Sequence, residues 1–350
     1  MPSIVVPAHN EEPVISRLLD ALAAPTTDDG PSVHHREPDA ETEVSGAGAE
    51  KPEASVGGVG VGAEGLGEEL EIIVVPNGCT DATADVAAGY PGVRVVQTPV
   101  ASKAEALRLG DEAATGFPRL YVDADVVLGR DDVVRLCQAL STTGVHGAGP
   151  ARVLPMAGVA WPVRWYYDVW QRLPAVREEL FGRGVIAVDE AGHARVAKFF
   201  TGDEQVMADD LAIALAFDAS ERVVVPSARA QIRPPRTTAD LLRRRVRAMT
   251  GNARLAAAAD GRAPRTGSAD GRAPRTGPVG RAAPRTGLAE LRGVVARERS
   301  VLRRARMVPK VVLFLTVAVV ARLRGRRAMG RNDTRWLRDE SSRQPGQPRT

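Results

Sequence analysis

The feature that most limits the fold is a repeated alternation between short, almost wholly apolar runs and longer amphipathic stretches. The apolar runs cover residues 3–6, 71–75, 93–96 and 119–122. The amphipathic stretches that follow them cover residues 14–22, 81–88, 103–114 and 131–140. Near-continuous apolar strands that alternate with helices are typical of a parallel sheet buried on both faces. The sequence therefore predicts an α/β fold with a mostly parallel, Rossmann-like sheet and helices on both faces.

Three polar loops follow strands of this predicted sheet. They read PAHNEE at 7–12, PNGCTDAT at 76–83 and DAD at 123–125. In open sheets of this class, ligands bind outside the carboxyl ends of the strands. We therefore expect the three loops to converge on one crevice. Residues 145–235, with a strand expected at Gly182–Val188 and a helix from Asp209, should close that crevice from the other side.

The cysteine content and the absence of export signals limit the class of protein. Cys79 and Cys137 are the two cysteines, too few for a disulfide framework or a four-sulfur zinc site. The first residues lack the basic and apolar regions of a signal peptide. The apolar run 311–321 is about half as long as a spanning helix requires. These features favour a cytoplasmic protein.

Charge is distributed unevenly along the chain. Residues 26–71 hold 12 acidic and 2 basic side chains, whereas residues 229–350 hold 30 basic and 8 acidic ones. We predict a folded domain over 1–255 with a disordered acidic insertion at 26–69, because that segment has no apolar periodicity. GRAPRTG-type repeats at 256–287 indicate a linker. A basic amphipathic helical segment should cover residues 288–330 and form the C-terminal basic helical tail of the fold. Residues 331–350 would be the end of that tail.

Asp123 and Asp125 form the chain's most suggestive metal-binding pattern. Along an extended chain, residues i and i+2 point the same way, so both carboxylates would face the crevice. Carboxylate oxygens suit Mg²⁺ or Mn²⁺, which usually complete their shell with water and substrate phosphates. In a chain with 43 acidic residues, however, an isolated D-x-D is more often a solvated turn.

Further motifs accompany this pattern in a fixed order. They are SIVVPAHNEE, IIVVPNGCTDATADVA, SKAEAL, VDADVVL and ADDLAIALAF. Together they resemble the family 2 inverting glycosyltransferases, of a non-processive, actinobacterial-like type. The resemblance covers about residues 3–24, 70–140 and 181–255. It implies the GT-A fold, a nucleotide-diphosphate sugar donor and a divalent metal.

The resemblance assigns roles to particular residues. The nucleotide-sugar site would comprise Pro7, Asn10, Glu11, Asn77, Lys103 and Asp123. Asp125 and Asp123 would bind the metal. Asn77 stands where the family often has an aspartate, which leaves the donor base open between uridine, guanosine and others. Without the resemblance, the Asn10–Glu12 cluster would be taken for an ordinary helix N-cap.

The catalytic base and the diphosphate contacts also follow from the resemblance. Asp210 matches the carboxylate that takes the acceptor proton, with Asp209 as the alternative; a helix N-cap pair is the competing interpretation. Arg243, Arg244 and Arg247 share one helical face, and Arg244 and Arg247 would stabilise the leaving diphosphate. A solvated basic face is the competing interpretation here. The family's tryptophan is absent from this segment, so a processive synthase is not supported.

The expected function is metal-dependent, inverting transfer of a sugar to an acceptor hydroxyl in the synthesis of cell-envelope polysaccharide or glycolipid. The basic C-terminal helix suggests a lipid-linked acceptor and peripheral docking at the anionic inner face of the membrane. No nucleic-acid partner is expected. The alternatives are a nucleotidyltransferase and a non-catalytic nucleotide- or nucleic-acid-binding protein built on the same sheet.

Overall fold

A computed structural model describes residues 1–24, 70–200, 209–259, 288–298 and 300–330. The predicted acidic insertion and the 331–350 tail lie outside the described residues, as does most of the repeat linker.

The described residues contain eight strands in one sheet. They are β1 (Ser3–Ala8), β2 (Glu71–Pro76), β3 (Val93–Val95), β4 (Arg119–Val122), β5 (Val126–Leu128), β6 (Gly147–Val153), β7 (Val185–Val188) and β8 (Arg222–Ile232). Their order across the sheet is β3-β2-β1-β4-β7-β6-β8-β5. Strands β3, β2, β1 and β4 pair in parallel, whereas β7 is antiparallel to both of its neighbours. The predicted α/β class with a mostly parallel sheet is confirmed.

Helices connect and cover these strands. They are α1 (Ile15–Ala23), α2 (Thr83–Ala88), α3 (Lys103–Ala113), α4 (Arg130–Leu140), α5 (Trp161–Trp170), α6 (Pro174–Glu178), α7 (Glu190–Val196), α8 (Asp209–Leu215), α9 (Thr238–Ala259), α10 (Leu288–Ala296) and α11 (Val301–Gly330). A 3₁₀ turn at Ala197–Phe199 follows α7. The four helices that the sequence predicted after the first four apolar runs are present.

The sheet is buried on both faces because its central strands are apolar throughout. In β1, Ile4 and Val6 pack with Leu18 of α1, whereas Val5 packs on the other face with Leu107 of α3. Burying both faces of a strand is what its continuous apolar sequence requires. This arrangement fixes β1 at the centre of the sheet, with its carboxyl end beside those of β2 and β4.

The strand expected at Gly182–Val188 is shorter than predicted. Gly182 and Gly184 have positive φ values of 66° and 64°, and β7 begins only at Val185. A side chain at 184 would also collide with Val126, because a Cβ there would lie 2.4 Å from its Cγ2. The segment before β7 is therefore a tight loop pressed against the chain that follows β4.

The C-terminal helices pack against the domain. Helix α11 contacts α5, α9 and α10, and its Phe314 stacks on Tyr166 with ring centroids 4.9 Å apart. Helix α9 runs through the predicted boundary at residue 255 and ends at Ala259. Within the described ranges, no helix has the length and apolar character needed to cross a membrane.

Candidate active site

The loops after β1 and β2 are joined by a dense set of hydrogen bonds. The Asn10 side-chain oxygen accepts from Thr80 N at 2.7 Å, and Glu11 N donates to Thr83 Oγ1 at 2.8 Å. Glu12 closes the set, because its carboxylate accepts from Ala82 N at 3.0 Å. Asn10 has a φ of 51°, a backbone conformation that asparagine tolerates better than most residues. The two loops therefore form one joined wall beside the carboxyl ends of β1 and β2.

Buried polar groups anchor this wall. Asn77 is 3% exposed, and its amide nitrogen donates to Ala8 O at 2.8 Å. His9 Nδ1 lies 2.5 Å from Asn77 O. Cys79 Sγ accepts from Asn10 N at 3.3 Å, which links the thiol to the same loop. Pro7, assigned to the base pocket, is buried in β1 opposite Val75.

The D-x-D segment is a turn between β4 and β5. Val126 N donates to Asp123 O at 3.1 Å, which closes the turn, so the expectation of an extended chain is wrong. The turn forms because β5 reverses direction to pair with β8. Lys103 Nζ lies 2.7 Å from Asp123 Oδ1, and Asp123 N donates to Gly184 O at 2.8 Å. Lys103 and Asp123, which the resemblance assigned separately to the nucleotide-sugar site, thus form a direct ion pair.

The two carboxylates of this turn have different surroundings. Asp123 is held by Lys103, whereas we find no hydrogen bond or ion pair to Asp125 anywhere in the described part of the chain. Across the same residues, no group of three or more His, Cys, Asp or Glu side chains is arranged to hold a metal ion. Mg²⁺ is often held by one or two carboxylates together with substrate phosphates and water. The donor chemistry of Asp125 fits such an ion.

Arg17 interacts electrostatically with both Asp125 and Arg233. Burial, and then the positive charge of Arg233, lowers the pKa of Arg17, whereas Asp125 and Glu11 act in the opposite direction. Arg17 Nη1 is buried without a hydrogen-bond partner among the described residues. Burial also lowers the pKa of Arg233, and the nearby charge of Arg236 adds to that effect.

The three arginines predicted on one face of α9 have different contacts among the described residues. Arg243 forms an ion pair with Asp240 of its own helix. Arg244 Nη1 reaches toward Arg233 O at 3.4 Å. Arg247 accepts a hydrogen bond from Thr250 through its carbonyl oxygen. The contact with Arg233 brings Arg244 to the segment that follows β8.

The predicted base lies at the start of α8. The helix begins at Asp209 and buries Leu211 and Ile213 just behind the two aspartates, and Phe217, which follows the helix, is buried as well. The side chains of Asp209 and Asp210 lie outside what the structure describes, so the choice between them stays a prediction.

Sequence reasoning missed several contributors to the site. His9 lies within the PAHNEE motif, but one histidine in a loop carries little information. Arg17 occupies a polar position on an amphipathic helix, where arginine is usually solvated. Arg233 and Arg236 follow strand β8. That strand forms because it pairs with β6, and its local sequence alone did not predict it. The pairing of β5 with β8 brings Arg233, which follows Ile232, close to Asp125, which precedes Val126.

Comparison with solved structures finds proteins that were solved with UDP or a UDP-sugar bound. The chain is similar to glucosyl-3-phosphoglycerate synthase from Mycobacterium tuberculosis, solved with Mn²⁺, UDP and glucosyl-3-phosphoglycerate, at 21% identity and a TM-score of 0.38. That match covers 67% of this chain and 70% of the synthase. It is also similar to S. aureus TarS 1–349 with UDP-GlcNAc, at 14% identity and a TM-score of 0.40, over 66% of this chain and 58% of TarS.

The family comparison is more specific. No curated protein matches the chain. Residues 63–200, which include β2 to β7 and the D-x-D turn, match the model of glycosyl transferase family 2. Strand β1 precedes the matched region but lies between β2 and β4 in the sheet. Residues 63–200 of the chain therefore match a glycosyltransferase family 2 domain.

Proposed function

We propose that the enzyme transfers a sugar from a nucleotide-diphosphate donor to an acceptor hydroxyl with inversion at the anomeric carbon. The observation that carries this proposal is the convergence of three loops at the carboxyl ends of β1, β2 and β4. One side of the crevice is the joined wall around Asn10 and Asn77, and the other is the turn that holds Asp123 and Asp125. A nucleoside would lie against the wall, with its diphosphate toward the turn.

The residues of the turn and of α8 and α9 would contact different parts of the donor and acceptor. Asp125 would hold a Mg²⁺ or Mn²⁺ ion, which supplies positive charge to the diphosphate when bound. The ion pair with Lys103 would fix the orientation of Asp123. Asp123 would then accept a hydrogen bond from the ribose. Arg244 and Arg247 would lie on the diphosphate side. Asp210 would take the proton from the acceptor hydroxyl as that oxygen attacks the sugar.

The assignment of Asp125 is tested by titrating the purified full-length protein with UDP and GDP, each with and without Mn²⁺. We expect Mn²⁺ to strengthen binding of one nucleotide at least tenfold, because an ion held by Asp125 would supply positive charge to the diphosphate. Asp125→Asn should abolish that gain and leave metal-free binding unchanged. The exposed Asp85 of α2 provides the matched control, since Asp85→Asn should keep the gain. A gain that survives Asp125→Asn would contradict the assignment.

The proposal includes docking at an anionic membrane surface. Helix α11 buries Met307, Phe314 and Val317 against the domain. Its opposite face carries an exposed apolar stripe, which we call the α11 stripe. The members of the stripe are Leu302, Val308, Val312, Val319 and Leu323, each at least 50% exposed. Exposed arginines flank it at both ends. They are Arg303, Arg304, Arg306, Arg322, Arg324, Arg326 and Arg327.

An apolar stripe between cationic groups complements the interface of an anionic bilayer. A lipid-linked acceptor would be presented to the enzyme at that surface. We expect the protein to float with vesicles that contain anionic lipid and to remain unbound with zwitterionic vesicles. Val312→Asp with Val319→Asp should weaken flotation at least tenfold, because each valine loses roughly 1.5 kcal/mol or more of burial. Val153→Asp, at an exposed valine outside α11, serves as the control. Equal flotation of all variants would refute docking through the stripe.

A further inference from the structure

Helices α10 and α11 border a groove of about 390 Å³, a volume within the range of small-molecule sites. Apolar side chains from both helices line it. They are Leu291 and Val295 of α10 and Val311 and Leu315 of α11. The members of each pair are four residues apart, so each helix contributes an apolar wall about one turn long, a rise of roughly 6 Å. The groove therefore extends along the helices, and its walls favour a chain of methylene groups over a polar ligand.

The groove lies directly beside the α11 stripe. Val311 is three residues from Val308 of the stripe, and Leu315 is four residues from Val319. Residues three and four apart are neighbours on a helix surface. The apolar wall of the groove thus continues into the exposed apolar surface of α11. When the stripe contacts a bilayer, the groove opens toward the acyl chains of the lipids.

The lining of the groove also includes positive charge. Arg304 donates to Glu298 O at 2.9 Å and to Ala296 O at 3.4 Å, which fixes its guanidinium beside the C-terminus of α10. The Glu298 carboxylate is paired with Arg172, so it is directed away from Arg304. Arg292 adds a second, exposed guanidinium to the lining. Since a guanidinium has five N–H donors, Arg304 retains donors for an anionic group.

We propose that the groove between α10 and α11 binds one acyl chain of an anionic phospholipid, with the lipid phosphate at Arg304 and Arg292. The acyl chain would lie along the apolar walls, and the phosphate would accept charge-assisted hydrogen bonds from the guanidinium groups. An apolar tail joined to an anionic head matches both parts of the lining. This binding rests on the proposed docking at a membrane for the supply of lipid, but the groove itself can be tested without a membrane.

The test is calorimetric titration of the full-length protein with decanoyl lysophosphatidylglycerol, kept below the concentration at which this lipid forms micelles. We expect saturable binding to wild type. Val311→Asn should weaken this binding at least tenfold, because an amide in the groove wall would face the acyl chain without a hydrogen-bond partner. Val312→Asn is the matched control and should bind the lipid like wild type, since Val312 belongs to the α11 stripe and does not line the groove.

The role of the arginines is tested with monodecanoylglycerol, which has the same acyl chain but no phosphate. It should bind about tenfold more weakly than the anionic lipid, the loss typical of one charge-assisted hydrogen bond. Arg292→Gln should reduce this preference, whereas Arg94→Gln should keep it, since Arg94 lies on the edge strand β3. Both arginines are exposed, so these variants should fold even if Val311→Asn does not. Equal affinity of wild type for the two amphiphiles would refute the phosphate contact.

The remaining outcomes separate the groove from the proposed docking. No saturable binding of the dissolved lipid to wild type, or equal affinity in wild type and folded Val311→Asn, would overturn the proposal. A dimer that Val311→Asn dissociates, without lipid binding, would show instead that a second copy of the chain covers the groove. Wild type that binds the dissolved lipid but does not float with anionic vesicles would support the groove and refute the docking. Protein that floats without binding the dissolved lipid would refute the groove alone.

Discussion

Asp210→Asn should lower the turnover rate about 10³-fold while leaving donor affinity unchanged, because a positioned general base contributes 10²- to 10⁴-fold. The amide has almost the same shape as the carboxylate but cannot accept the acceptor proton. The substitution should leave helix α8 in place, since the buried side chains of Leu211 and Ile213 hold its first turn against the domain. A change in turnover can then be assigned to the lost carboxylate. The measurement is the rate of nucleotide release from the donor sugar, together with a donor titration.

Asp209→Asn is the matched control for this prediction. Neighbouring residues at the start of a helix project about 100° apart, so only one of the two carboxylates can face a given acceptor. We expect Asp209→Asn to retain activity within about tenfold of wild type. A large loss at Asp209 with none at Asp210 would reverse the assignment. Near-normal turnover in both variants would place the base elsewhere.

Arg183→Met should lower the free energy of unfolding by about 3 kcal/mol, because it leaves buried carbonyl groups without donors. Arg183 is 2% exposed and lies between the two left-handed glycines before β7. Its guanidinium donates to the carbonyl oxygens of Pro150, Val176, Arg177 and Glu179 at 2.7–3.2 Å. These acceptors are backbone atoms, so no relaxation of a partner side chain can compensate. Burial lowers the pKa of Arg183 to about 10, which leaves it charged at neutral pH.

Urea unfolding checks this prediction through the midpoint, with the slope of the transition unchanged. Arg164→Met is the control, because Arg164 is exposed on α5 and should shift stability by less than about 0.5 kcal/mol. If Arg183→Met does not fold, Arg183→Lys keeps the charge with fewer donors and should give an intermediate loss. Unfolding of both variants at the wild-type midpoint would show that the carbonyl groups find other donors.

The elements predicted correctly from sequence are those whose local pattern and final environment agree. Strand β1 and helix α1 are examples, because an apolar run and a 3.6-residue periodicity need no distant partner to be recognised. Strand β6 was not predicted, since GAGPARV has little strand propensity. It forms because β8 pairs with it and because its glycines leave room for neighbours. A Cβ at Gly147 would lie 3.0 Å from Phe217, and one at Gly149 would lie 3.0 Å from Arg183.

The sequence predicted the parts of the site in which both interacting residues belong to recognised motifs. Asn10 and the loop at Thr80 come from motifs that the sequence placed at adjacent strand ends, and they meet there. The turn at Asp123 was not predictable, because it depends on the antiparallel pairing of β5 with a strand about 100 residues later. The arginines around Asp125 depend on that same pairing.

The position of β1 also bears on how the chain folds. Ser3 and Glu71 are 68 residues apart in sequence and pair side by side, with residues 25–69 between the end of α1 and the start of β2. Loop-closure entropy grows by about 0.6 kcal/mol for each doubling of the loop. Compared with a crossover that lacks those 45 residues, β1 docks at an extra cost of roughly 1 kcal/mol. That cost arises when β1 joins its neighbours, so the joined wall of the β1 and β2 loops should be among the last parts of the protein to form.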